Sequence, residues 1–206
     1  MTSEADSAAH WDGAYASGDT SRSWFQQYPR MSLQMFDDVG ICNRDSVLDV
    51  GGGASTLVDA LLGRGYDDVT VLDISATGMK HAQQRLGVDA ARVTWQVADV
   101  LTWRPPRRYH VWHDRAVFHF LTAEPSQQRY LDTLSAATAA GAVAVFGCFA
   151  ADGPQQCSGL PVARYDAQQL HTRLGDGWAL ISQAREEHHT PGGAVQSFTW
   201  AAFRRQ

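Results

Sequence analysis

From Ser46 onward, apolar residues come in short blocks separated by longer stretches of helical spacing. The blocks Ser46–Val50, Val69–Asp73, Val93–Val97, His110–His113 and Ala142–Cys148 read as strands. Helical patterns run over Thr56–Arg64, Thr77–Leu86, Gln127–Ala140 and Ala167–Leu174. Alternation of this kind predicts crossover units and a mainly parallel sheet. Such crossovers are right-handed, so helices should cover both faces. The tail breaks the rhythm. Trp178–Ala184 and Ser197–Phe203 are strand-like, with "HHTPGG" between them. Pro191, Gly192 and Gly193 supply turn chemistry, which predicts an antiparallel C-terminal hairpin. The expected fold class is therefore α/β, a doubly wound, Rossmann-like sheet of five parallel strands and that hairpin.

Upstream, residues 1–9 are short, polar and terminal, and are expected to be a disordered tail. Residues 10–40 mix aromatic and polar side chains and are expected to form an N-terminal helical cap on a core at 46–206. A chain of 206 residues, 44% hydrophobic, suits one domain.

Charge narrows the partners. A net charge of -5, with 17 Lys and Arg that do not cluster, argues against a nucleic-acid surface. The dense spot at Arg104 to Arg108 is broken by prolines and reads as a solvated loop. The start "MTSEADSAA" carries acids rather than a basic, then apolar, leader, so no secretory signal is expected. No apolar run approaches the ~20 residues of a membrane span, so no membrane partner is expected. Three widely spaced cysteines lack C-x-x-C spacing, which predicts a reducing, cytoplasmic setting and no zinc site. The adjacent His188 and His189 read as hairpin loop rather than as metal ligands.

The candidate chemistry sits in "SVLDVGGGASTLVDALLGRGYDDVTVLDIS". Gly51, Gly52 and Gly53 allow a sharp turn and close approach of a ligand to the backbone. Ligands of doubly wound folds bind outside the carboxyl ends of the strands. Asp73 ends the second strand about 20 residues after Gly53, where an acid accepts hydrogen bonds from ribose hydroxyls. Asp49 precedes the glycines. It would repel a pyrophosphate but suits a cationic amino-acid moiety, which counts against a nicotinamide dinucleotide. Asp99, in "WQVADV", can meet the amino group of adenine. Three acids so placed point to S-adenosylmethionine, with S-adenosylhomocysteine as product.

"VLDVGGGAS", "VTVLDIS", "VADV" and the terminal hairpin resemble the motifs of class I S-adenosylmethionine-dependent methyltransferases, over residues 46–206. The resemblance implies a seven-stranded sheet with its last strand inserted antiparallel. It implies that Gly51, Gly52 and Gly53 approach the methionine part and that Asp73 holds the ribose. It places adenine beside Ile74, Asp99 and Val100. Ser55 stands where a third glycine of the motif is common.

The acceptor side is less determined. "VWHDRAVFHFL" places His113, Asp114, Arg115 and His119 at the mouth of the fourth strand. His113 or Asp114 is the candidate catalytic group, since a histidine titrates near neutral pH. Arg115 and His119 are candidate substrate residues. Asp114 equally suits a helix cap. "WHDRAVFHFLTAEPSQQRY" is similar to the fourth-strand segment of thiopurine and thiol methyltransferases, through Asp114, Arg115, Ala116, Arg129 and Tyr130, with His113 departing from that pattern. Small protein-lysine methyltransferases share the core and a similar N-terminal Trp-Asp start. The long loop "FAADGPQQCSGLPVARYDAQQL" should wall the acceptor pocket, with Cys157, Arg164 and Tyr165 as candidates. Trp11, Tyr15 and Trp24 are expected to close over the cofactor. The expected activity is methyl transfer to S, O or N of a small molecule, by a monomer or homodimer. The alternatives are protein-lysine methylation and a catalytically silent cofactor-binding regulator.

Overall fold

The computed structural model describes residues 4–206, except 17 and 19. Two N-terminal helices come first, α1 (Glu4–Tyr15) and α2 (Arg30–Asp38). Residues 4–9, expected as a disordered tail, are thus helical. Side-chain contacts from the second half of α1, described below, hold the helix against the core.

The core alternates as the pattern predicts. Strands β1 (Val47–Val50), β2 (Val69–Asp73), β3 (Val93–Val97), β4 (Val111–Arg115) and β5 (Val143–Phe149) are parallel. Helices α3 (Leu57–Gly63), α4 (Ala76–Leu86) and α5 (Glu124–Ala137) connect them. After β5 a short ribbon forms from β6 (Gln156–Cys157) and β7 (Leu160–Pro161). Helix α6 (Ala167–Leu174) follows, then the hairpin of β8 (Trp178–His189) and β9 (Val195–Arg205). The seven-stranded sheet runs β3-β2-β1-β4-β5-β9-β8, with β9 antiparallel to β5.

The hairpin is longer than its apolar blocks suggest. Strand β8 alternates buried and exposed side chains at the sheet edge and runs on through charged positions. His188 and His189, expected in the loop, belong to it. His188 is buried, with Nε2 2.7 Å from the Ser23 carbonyl.

Strands β1, β2 and β5 are buried along their whole length, as central strands covered on both faces must be. Side chains alternate between two cores. On one face α2, α3 and α4 pack against Val47, Val71 and Val145. On the other, Leu48, Trp112, Tyr130 and Phe146 form the second core. That alternation decides the fate of the run His113-Asp114-Arg115. His113 and Arg115 share the first face, while Asp114 points into the second core.

Strand β4 reaches Arg115, in register with Gly147. It then ends at Ala116, whose φ of 69 puts a non-glycine residue in the left-handed region.

Candidate active site

A cavity of about 680 Å³ opens where β1, β2, β3 and β4 end. It lies at the switch between β1 and β4, whose flanking crossovers run in opposite directions. The first turn after β1 makes it possible. Gly51 has a φ of 67, and a Cβ there would lie 2.0 Å from Val117 Cγ2. A Cβ at Gly52 would lie 2.6 Å from Asp49 Oδ2. One at Gly53 would meet the Tyr15 hydroxyl at 2.7 Å and Asp73 Oδ2 at 2.9 Å. The chain at all three positions is closed to any larger residue.

Asp49, Asp73 and Asp99 all line this cavity, together with Gly51, Gly52, Ile74 and Val100. Gly53 sits just behind it, against Tyr15 and Asp73. Asp73 Oδ1 accepts the Ser75 N–H at 2.7 Å. Burial, and after it the negative charge of Asp49, pushes Asp73 up to about 7. Asp99 Oδ1 accepts the Leu101 N–H at 2.8 Å, which holds the carboxylate at the end of β3.

Asp49 is held from the neighbouring strand. Register pairs it with His113 across β1 and β4, so the two side chains leave the same face. His113 Nδ1 lies 2.7 Å from Asp49 Oδ1, and its Nε2 lies 3.0 Å from Ser32 Oγ on α2. The rings of Phe36 and Trp200 flank the imidazole, at centroid distances of 5.7 and 6.1 Å. With both nitrogens engaged and 2% of the residue exposed, His113 has no nitrogen free for an acceptor's proton. Asp49 Oδ2, by contrast, is buried with no hydrogen-bond partner among the described residues.

Asp114, expected beside the acceptor, does not line the cavity. It is fully buried on the opposite face and accepts the N–H groups of Val117 and Phe118, each at 2.9 Å, and the Tyr130 hydroxyl. Burial raises its carboxyl to about 6. It anchors the turn after β4 (the capping role the sequence also suggests).

Arg115 does reach the cavity. Its Nη1 donates to the Trp24 carbonyl at 2.9 Å, and the guanidinium lies 4.9 Å from the centre of the Phe198 ring. Its Nε and Nη2 are buried without a partner among the described residues. Burial lowers its pKa. Cys157, on β6, also lines the cavity, and burial pushes its thiol up to about 11.

Three expected substrate residues are elsewhere. His119 is wedged between Phe120 and Phe149, at centroid distances of 4.5 and 4.7 Å, and does not line the cavity. Burial first, then the charge of Arg115, lowers it to about 3. Arg164 donates to the Gly153 carbonyl at 3.1 Å. Tyr165 is in the second core, where its hydroxyl accepts from Gln127 Nε2 at 2.9 Å. In the loop after β5 it is the ribbon that presents residues to the cavity, namely Cys157, Leu160 and Pro161.

The N-terminal aromatics, expected to close over the cofactor, reach this cavity. Trp11, Tyr15 and Trp24 line the cavity. Trp11 packs edge-on against Phe120 and Trp24, at 4.9 and 5.9 Å between centroids. Sequence reasoning passed over Asp12, which fastens this cap. Its Oδ1 accepts from Ser75 Oγ at 2.7 Å and from the Thr77 N–H at 3.0 Å. Those bonds, the Ser75 hydroxyl first, hold the Asp12 carboxyl below its usual range. Phe25, Val117 and Phe120 also line the cavity without a sequence signal, since turns rather than periodic elements present them. Among the described residues, no cluster of three or more His, Cys, Asp or Glu is placed to hold a metal ion. Nor is any helix long and apolar enough to cross a membrane.

Comparisons agree with this architecture. Residues 47–141 match the family model for a methyltransferase domain. No curated protein matches the sequence. Among solved structures, one described under conversion of a disulfide bond into a thioacetal group during echinomycin biosynthesis has a TM-score of 0.75 and 22% identity, covering 97% of this chain and 92% of that one. A SAM-dependent methyltransferase from Anabaena variabilis has a TM-score of 0.77 and 12% identity, covering 100% and 96%. The 1,6-didemethyltoxoflavin-N1-methyltransferase of Burkholderia thailandensis, with 1,6-didemethyltoxoflavin and S-adenosylhomocysteine bound, has a TM-score of 0.72 and 17% identity, covering 100% and 92%.

The residues present fit the cofactor of that family. An orphaned carboxylate oxygen on Asp49 faces a glycine turn that no Cβ can enter. Two further strand-end carboxylates open on the same cavity. The domain match over residues 47–141, the seven-stranded order and this cradle together show a methyltransferase domain with the fold of class I S-adenosylmethionine-dependent methyltransferases.

Proposed function

We propose that this enzyme moves the methyl group of S-adenosylmethionine onto a sulfur, oxygen or nitrogen atom of a small molecule. In that reading Asp49 and the glycine turn receive the amino-acid part, and Asp73 accepts the ribose hydroxyls. Asp99 meets the adenine amino group, between Ile74 and Val100. The bound cofactor supplies an electrophilic methyl on a positively charged sulfur.

The rest falls to the chain's own side chains. Trp11, Trp24, Phe25 and Phe120 wall the cavity with apolar rings, which exclude water and order an acceptor. His113 lines the cavity but has both ring nitrogens engaged, and neither Asp114 nor His119 lines it. The acceptor must therefore arrive with its lone pair available, as a thiolate or a neutral amine does. Arg115 adds a positive charge beside the acceptor space and favours one that carries an anionic group. Cys157, a protonated thiol there, is a wall rather than a nucleophile.

The observation that carries the small-molecule reading is the aromatic enclosure beside the three carboxylates. A cavity of about 680 Å³ is in the usual range for small-ligand sites, roughly 300–1,000 Å³. The same fold holds a small acceptor with S-adenosylhomocysteine in the Burkholderia thailandensis structure. The three unpaired cysteines support a reducing, cytoplasmic setting.

The test is turnover with methyl-labelled S-adenosylmethionine against panels of thiols, phenols, carboxylates and amines, with intact proteins as a parallel arm. Label on a small molecule supports the proposal. Label confined to protein lysines overturns it.

A further inference from the structure

Ser32, His113 and Asp49 form a buried relay reaching from α2 through β4 to the tip of β1. The chain carries an imidazole directly beside the acid that precedes the glycine turn, and both of its nitrogens are engaged. We infer that His113 is a positioning residue for the cofactor, aiming Asp49 so that its free oxygen receives the ammonium group of the amino-acid part. This rests on the cofactor reading above.

The chemistry follows from the partners. Asp49 offers Oδ1 to His113 and leaves Oδ2 without a partner, against Gly52. A carboxylate on a short side chain swings about χ1 and χ2 unless something ties it. One N–H from Nδ1 ties one oxygen and so directs the other. The tie needs a hydrogen on Nδ1. Ser32 secures this by giving its hydroxyl proton to Nε2, which leaves Nδ1–H as the donor. Phe36 on α2 and Trp200 on β9 flank the ring. The carboxylate oxygen left free beside the turn suits a cation. An apolar residue at 113 would leave Asp49 buried, untied and with two orphaned oxygens.

The inference separates the amino-acid part of the ligand from its nucleoside part, and so does the experiment. Calorimetry is run with S-adenosylhomocysteine and with 5′-methylthioadenosine. The second ligand keeps adenine, ribose and sulfur and lacks the amino acid. The variants are His113→Leu, His113→Asn and Ser32→Ala, each with a melting curve. The asparagine amide overlies Nδ1 and can still donate to Asp49.

The expected result is a loss of about tenfold or more in S-adenosylhomocysteine affinity for His113→Leu, the scale of one charged hydrogen bond. Methylthioadenosine affinity should stay within about twofold. His113→Asn should recover S-adenosylhomocysteine binding to within about threefold, and Ser32→Ala should fall between the two. Should His113→Leu fail to fold, His113→Asn and Ser32→Ala carry the same comparison. Equal loss for both ligands, or an asparagine variant no better than leucine, overturns the positioning role and leaves His113 as packing. Unchanged S-adenosylhomocysteine affinity in every variant also overturns it. A wild-type protein that binds neither ligand removes the cofactor site itself, and the inference with it.

Discussion

Asp49 and Asp73 stand at the ends of neighbouring strands, and the charge of one is felt by the other. Burial comes first and the Asp49 charge next in lifting Asp73 from 3.8 to about 7. The two acids share one rim of the cavity. The cavity is electrostatically incomplete in a way that a cationic, hydroxyl-rich ligand would complete.

The first prediction concerns pH. A carboxyl that ionises near 3.8 unfolded but only near 7 folded favours the folded state while protonated. That contribution is full below about 3.8 and is lost as pH rises through about 7. Asp73→Asn should flatten this slope and raise the melting temperature at pH 8. Ribose binding needs the ionised form, so S-adenosylhomocysteine affinity of the wild type should rise between pH 6 and 8. Calorimetry across that interval checks it, and a flat profile would remove Asp73 from the ribose.

Gly52→Ala should be costly twice over. The added methyl would lie 2.6 Å from Asp49 Oδ2 and 2.7 Å from Val71 Cγ1, both in packed surroundings. Overpacking of this kind costs typically about 1–3 kcal/mol. Cofactor affinity should fall along with the melting temperature, because the displaced group is Asp49 itself. A variant that melts and binds like wild type would show the turn to be more accommodating than its geometry.

Asp12→Ala tests the cap. It removes two hydrogen bonds to Ser75 and Thr77 at the start of α4. The global stability change should be small, about 1–2 kcal/mol. The dissociation rate of S-adenosylhomocysteine should rise more than its association rate, since α1 would no longer be fastened over the cavity. Stopped-flow displacement reads both rates.

His119 predicts acid sensitivity. Its pKa is 6.5 unfolded and about 3 folded, so the folded state refuses a proton that the unfolded state accepts. Its contribution is full above about 6.5 and is lost as pH falls towards 3. His119→Phe should keep the ring contacts with Phe120 and Phe149, remove the unpartnered Nε2 along with the long Phe149 N–H bond to Nδ1, and shrink the stability loss between pH 6.5 and 4. Chemical denaturation at those two pH values measures it.

Arg115→Met should separate stability from turnover. Replacing an unpaired buried charge by an apolar chain of similar length is often neutral or stabilising. The melting temperature should hold or rise, and cofactor affinity should stay within about twofold. With an anionic acceptor, kcat/KM should drop by about tenfold or more. Equal turnover of anionic and neutral acceptors in the wild type would argue against the charge preference.

Much of this protein was readable from its periodicity. Apolar blocks locate every strand of the main sheet, and the acids at 49, 73 and 99 with the glycine turn locate the cavity. These are local signals, since strand ends and backbone freedom belong to short stretches of chain. The helical start of α1 was not readable, because a polar helix held by tertiary contacts has no apolar face to betray it.

By itself the sequence determined the alternation, the C-terminal hairpin and the acids that flank the glycine turn, because each follows from spacing along one chain. Only the tertiary structure decided which way each side chain faces the rest. His113, Asp114 and Arg115 are consecutive, yet strand alternation sends the middle one into the opposite core. His119 and Tyr165 carry the right chemistry in the right segment and still end up behind the cavity wall. Ser32 and Asp12 acquire their roles from residues more than sixty positions away. No pattern within a strand or a helix records such a meeting, since the packing of layers creates it.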